Sequence, residues 1–118
     1  TSALDAERVV FEQLKAQPDT RCFIFTDPDD TLAGTQTLVD LNLVGTIQVI
    51  GFGNSPEILT AIEKGIIDTS LYIPPEEIGI RAFTSLKELH QSGYTSSAVD
   101  IDIRVLKKNN GRTIGAKL

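Results

Sequence analysis

One cysteine, Cys22, and one histidine, His90, are the only such residues in this 118-residue chain. Zinc is commonly held by three or four His, Cys or carboxylate ligands, so the sequence argues against a zinc centre. A lone cysteine cannot close an internal disulfide, and that leaves the compartment open, because exported chains also manage without one. Cys22 stands at the head of an apolar run, where packing is its expected role. Basic clusters are equally scarce. Eleven Lys and Arg face sixteen Asp and Glu, for a net charge of −5, and no basic cluster exceeds Lys107-Lys108. The footprint of a phosphate backbone is missing, which excludes nucleic acid as a partner of this chain. No apolar run nears the ~18 residues of a membrane span, and no signal-peptide pattern opens the chain, so the chain as given is expected to be soluble. Its length and 41% apolar content fit one domain with one core.

The stretch IGFGNSPE, residues 50–57, follows the apolar run Ile47-Gln48-Val49 and has the look of a strand running into a ligand-binding turn. It is not a phosphate loop. A dinucleotide fingerprint needs a third glycine where Pro56 stands, and a P-loop needs a Gly-Lys-Ser/Thr ending, yet no lysine lies between Lys15 and Lys64.

Hydrophobic periodicity predicts an alternation of helices and strands. Residues 3–16 carry Leu4, Val9 or Val10, and Leu14 at helical spacing, and Gln17-Pro18-Asp19 stops them. Residues 21–26 read as a short buried strand. Asp27-Pro28-Asp29-Asp30 follows, with acids suited to cap a helix over 31–43. A second buried strand is predicted over 46–52, then a helix capped by Asn54 or Ser55, with Pro56 in its first turn and Gly65 at its end. A third strand spans 68–73, and Pro74-Pro75-Glu76-Glu77 opens a long helix that runs through His90 to Ser92-Gly93. VDIDIRVL, residues 99–106, alternates as a half-exposed edge strand would. The tail NNGRTIGAKL is polar and is expected to fray.

Strands separated by helices imply right-handed crossovers and therefore an α/β class, a three-layer sandwich with a mostly parallel sheet and helices on both faces. Ligands of such sheets bind beyond the carboxyl ends of the strands. Here residues 26–30, 52–55 and 72–75 share that rim.

On these residues a resemblance becomes visible. FIFTDPDDTLAG, then IQVIGFGNSPEILTAIEKGIIDTSLYIPPEEIG, then VDIDIRVLKKNN resembles the carboxyl-terminal lobe of the type I periplasmic sugar-binding proteins, relatives of the lactose-repressor sensor domains. The resemblance covers residues 1–110 and leaves 111–118 as a flexible tail. It implies a second lobe, a sugar clamped between the lobes, and a lobe here that lacks its first strand, helix and second strand. The missing strands would lie beside the strand that opens at Arg21 and closes at Thr26, leaving three parallel strands and one bare edge. A homodimer through that edge is the expected consequence.

The same resemblance sets the candidate ligand-binding residues, Asp27, Pro28, Asp29, Gly53, Asn54, Tyr72 and Ile73. The family's sugar-contacting Asn, Asp and Gln fall at Pro28, Gly53 and Ile73, none of which offers a side-chain hydrogen bond. A buried hydroxyl left unpaired costs roughly 1–3 kcal/mol, so three such losses remove most discrimination for an ordinary hexose or pentose. Asp29 and Asn54 are the nearest polar replacements, and a branch of the family that binds autoinducer-2 also carries proline where Pro28 stands, which keeps a small polyol in view.

Plainer roles compete at each position. Asp27, Asp29 and Asp30 suit helix caps and partners of the helix dipole. They lack the glycine and distant glutamate of a calcium loop. Tyr72 suits packing at a strand end, and His90 suits the negative pole of its helix. Ser55 has no histidine partner in its segment and reads as a cap. No cofactor is implied, and an enzyme is disfavoured, since the rim offers acids without base, nucleophile or metal cluster. The leading reading is a non-enzymatic sugar or sugar-like binding lobe of a periplasmic or extracytoplasmic ABC-importer protein or receptor, with a membrane permease or sensor as the implied partner. The alternatives are a cytoplasmic lactose-repressor-type sensor lobe and a degenerate lobe acting as an interaction module.

Overall fold

The computed structural model describes residues 2–109 and 112–117, with side chains described through Lys108. The chain forms α1 (Ala3–Ala16), β1 (Cys22–Ile24), α2 (Pro28–Asp40), β2 (Gln48–Phe52), α3 (Pro56–Glu63), β3 (Thr69–Tyr72), α4 (Pro75–Ser92), β4 (Arg104–Asn109) and β5 (Arg112–Lys117). The sheet order is β1-β2-β3-β4-β5. The first three strands pair in parallel; β4 runs antiparallel to β3, and β5 antiparallel to β4, so four of the five strands point the same way.

Helices α1, α2 and α3 begin where a side chain supplies a cap, whereas α4 opens after Pro74 without one. The Ser2 hydroxyl accepts from the Asp5 amide at 3.2 Å and donates to the Asp5 carboxylate at 2.8 Å, a reciprocal pair that opens α1 and holds the Asp5 carboxyl below its usual range. Asp27 caps α2 and Ser55 caps α3, each followed by proline at the first helical position. Helix α2 therefore starts three residues earlier than the predicted 31. Gly93, with φ of 70°, closes α4 in the left-handed conformation.

The strands advance in one direction, β1 to β2 to β3, and right-handed crossovers then put α2 and α3 on the same face of the sheet. Helix α1 packs beside α2 and sends Val10 into the same core, which joins Leu38 of α2 and Ile58 and Ile62 of α3 to Val49 of β2 and Leu106 of β4. Burying each of these large side chains contributes roughly 1.5–3 kcal/mol. By strand alternation and register, Ile24, Ile50, Phe52, Leu71 and Val105 share the opposite face. That face carries no packed helix among the described residues. Ile24 is 67% exposed there. Of the two faces expected to bear helices, one does.

Helix α4 accounts for the difference. Not one of its residues is buried, and it packs on no other element among the described residues. Its Glu77 accepts a hydrogen bond from Arg104 of β4 at 3.2 Å.

The carboxyl end also departs from expectation. The edge strand predicted at 99–106 lies at Arg104–Asn109 and is interior, flanked by β3 and β5, with Leu106 only 7% exposed. Alternation in VDIDI belongs to an irregular segment. The expected frayed tail instead supplies β5, whose backbone completes a hairpin with β4; residues 110, 111 and 118 lie outside the described residues.

Candidate functional site

The rim at the carboxyl ends of the parallel strands is built from three loops held together by two buried hydroxyls. In the first, Asp27 Oδ1 accepts from the amides of Asp29 at 2.9 Å and Asp30 at 3.1 Å. One turn further on, the Thr31 hydroxyl donates to the Asp27 carbonyl at 2.7 Å and accepts from the Phe52 amide at 3.0 Å, tying the first loop to the second. Thr31 is fully buried. It can come this close because residue 51 is glycine: a Cβ there would collide with the Thr31 methyl. The Ser70 hydroxyl then donates to the Gly53 carbonyl at 2.6 Å, and the Gly53 amide donates to the Leu71 carbonyl at 2.7 Å, tying the second loop to β3.

Gly53 is thus fixed by its backbone. Its φ is 119°, a region that L side chains rarely adopt, and an added Cβ would stand 2.9 Å from Ile58 Cδ1 and 3.2 Å from Pro28 Cβ. A restored aspartate would be compatible with the fold only if Gly53 had an ordinary φ, and it does not. The position has no room for the carboxylate that the resemblance places there.

The remaining candidates divide into two groups. Pro28, at the first position of α2, packs toward Gly53 and brings the first two loops into contact. Asp27 spends a carboxylate oxygen on capping. Tyr72 is half-buried against the core cluster, in keeping with the packing role. Asp29 and Asn54 are exposed, and Ser55, not Asn54, caps α3, its hydroxyl accepting from the Ile58 amide at 3.3 Å. Ile73 is 42% exposed at the end of β3. Asp30 faces a different place: its Oδ1 is buried without a hydrogen-bond partner beside a cavity lined by Val10, Phe23 and Phe25.

The rim therefore carries two exposed polar side chains, Asp29 and Asn54, and two exposed apolar ones, Pro28 and Ile73; Asp29 also lines a cavity with Ser2, Ala3 and Glu7 at the start of α1. Each of the two polar groups can hydrogen-bond a hydroxyl. Among the described residues no group of three or more His, Cys, Asp or Glu side chains is placed to hold a metal ion. A separate cavity of about 200 Å3 opens between α2 and α3, lined by Thr35, Gln36, Glu57 and Lys64 among others.

Thr31 and Ser70 escaped the sequence reading. The available signal was positional: a hydroxyl residue four places after a capping aspartate, and a serine inside an apolar strand, are both placed to join loops rather than face solvent.

No family profile matches the sequence, and no curated protein does. Solved structures do. GanP, a glucose-galactose binding protein from Geobacillus stearothermophilus, superposes with a TM-score of 0.82 at 19% identity, over 91% of this chain and 38% of that one. AraP, an arabinose binding protein from the same organism, gives 0.80 at 21% identity over 93% and 41%. The Caulobacter myo-inositol binding protein, bound to myo-inositol, gives 0.80 at 19% over 93% and 38%. The chain shares their fold. It spans about two fifths of the length of these sugar-binding proteins.

Proposed function

We propose that this chain is a non-enzymatic binding lobe for a sugar or a sugar-like polyol, acting outside the cytoplasm with a second lobe and with a membrane permease or sensor. The observation that carries the proposal is the position of the rim: three loops at the carboxyl ends of parallel strands, on a fold matched at TM-scores of 0.80 and above by glucose-galactose, arabinose and myo-inositol binding proteins. The rim's composition refines it. Pro28, Gly53 and Ile73 occupy the places of the usual polar contacts, and Asp29 and Asn54 supply the hydrogen bonds that remain.

One exposed carboxylate and one exposed amide, without an opposing surface, are too few to hold a hexose tightly. Each net hydrogen bond contributes about 0.5–1.5 kcal/mol, against roughly 4 kcal/mol or more for the lost freedom of the ligand. The isolated chain is therefore expected to show no sub-millimolar binding when titrated calorimetrically against a panel of pentoses, hexoses and myo-inositol. Sub-millimolar binding of an ordinary hexose would overturn the replaced-contact reading.

A further inference from the structure

Two apolar surfaces of this chain lie uncovered, and they are of complementary kinds. One is the sheet face carrying Ile24, which is 67% exposed, and Ile50, Phe52, Leu71 and Val105, which are half-buried. The other is the stripe of α4, where Ile78, Phe83, Leu86 and Leu89 are 43%, 69%, 66% and 48% exposed. A helix of 18 residues is about 27 Å long, enough to lie across such a face from end to end.

The chain as a whole exposes a large surface. A compact monomer of 12.8 kDa exposes about 6,300 Å2, whereas this chain exposes 7998 Å2, an excess of about 1,700 Å2. Its radius of gyration is 18.0 Å, against about 13.5 Å for a compact domain of this length. Two copies that hid this excess from each other would bury about 3,400 Å2, within the range of obligate homodimers.

Helix α4 is joined to β3 by a stiff link. It leaves β3 through Ile73-Pro74-Pro75, where both rings fix φ and where Ile73 and Pro74, each preceding a proline, are confined to extended backbone. Pro74 has φ of −68° and ψ of 111° and is buried. The helix therefore departs in a set direction.

We infer that two copies of this chain exchange α4, each helix laying its apolar stripe on the open sheet face of the other. The association is reciprocal and closes on itself with two-fold symmetry. The sequence reading placed a dimer at the outer edge of the first strand instead. That edge is β1, three residues long, and pairing there adds only a few hydrogen bonds. The helix and the face offer far more.

The 118-residue chain at micromolar concentration is expected to sediment at twice 12.8 kDa. Phe83→Ser with Leu86→Ser should weaken the dimer at least thirtyfold, because both side chains become buried anchors only on association. Their exposure in the single copy leaves the fold intact, which retained circular dichroism checks. Ile50→Thr, on the sheet face, should weaken it too while keeping a β-branched residue in the strand. A monomer of the unmodified chain overturns the inference, whether compact or extended in X-ray scattering. So does a dimer indifferent to the α4 pair or to Ile50→Thr, which would place the contact at the β1 edge or elsewhere.

Discussion

Val49 and Ile50 are neighbours in β2, both β-branched and apolar, and they face opposite sides of one sheet. Val49 is 2% exposed beneath the layer of α1, α2 and α3; Ile50 is half-buried on a side where no helix lies. The difference does not come from the residues. It comes from chain order, because three strands laid down in one direction with right-handed crossovers send every connecting helix to the same side. One face is thereby completed from within the chain, and the other waits on whatever α4 can reach.

The sharpest way to break this comparison is to remove a side chain from the completed side. Ile58 is fully buried between α3 and the sheet, and Ile58→Ala should cost about 2–5 kcal/mol, lowering the melting midpoint by roughly 10 °C or more at every protein concentration. A loss that shrank as the protein was concentrated would mean that the helix-covered core itself depends on association. Next in size is Gly53→Asp, where backbone strain and the approach to Ile58 and Pro28 should cost about 1–3 kcal/mol in a denaturant titration. An unchanged midpoint would show that the turn relaxes and that the rim can hold an acid. The smallest effect belongs to the bare side. In dilute solution, Phe83→Ser alone should change the free energy of unfolding by less than about 0.5 kcal/mol, since the ring is already in water. A larger loss in the dilute chain would show that α4 is packed within a single copy.

Much of the fold was legible beforehand, and the reasons are local. Caps at Asp27 and Ser55, the prolines that follow them, and Gly65 and Gly93 at helix ends marked the boundaries of α2, α3 and α4 to within a few residues. The parallel strands were short apolar runs between those helices. The last two strands were harder, because alternation in 99–103 mimics a strand while β4 itself, RVLKKN, alternates weakly; its partner β5 holds it in place, and pairing between distant segments leaves little trace in either one. The placement of α4 was illegible for a similar reason. Its stripe announces that it must be covered, and the sequence does not say by what.

At the rim, Asp29 and Asn54, the expected polar replacements, are exposed, while at Gly53 residue type alone leaves two explanations open. A glycine can mark a lost side chain or a required backbone angle, and both look the same in a sequence. Only the φ of 119° and the paired amide and carbonyl separate them.

The two hydroxyl latches have a bearing on how this chain can vary over descent. Thr31 reaches Phe52 across 21 positions, Ser70 reaches Gly53 across 17, and Gly51 makes room for the first latch. These residues are physically coupled: a larger residue at 51 evicts Thr31, and loss of Ser70 strips the Gly53 carbonyl of its donor. The side chains of Asp29 and Asn54 stand outside the set, so both positions can change while the frame beneath them stays the same.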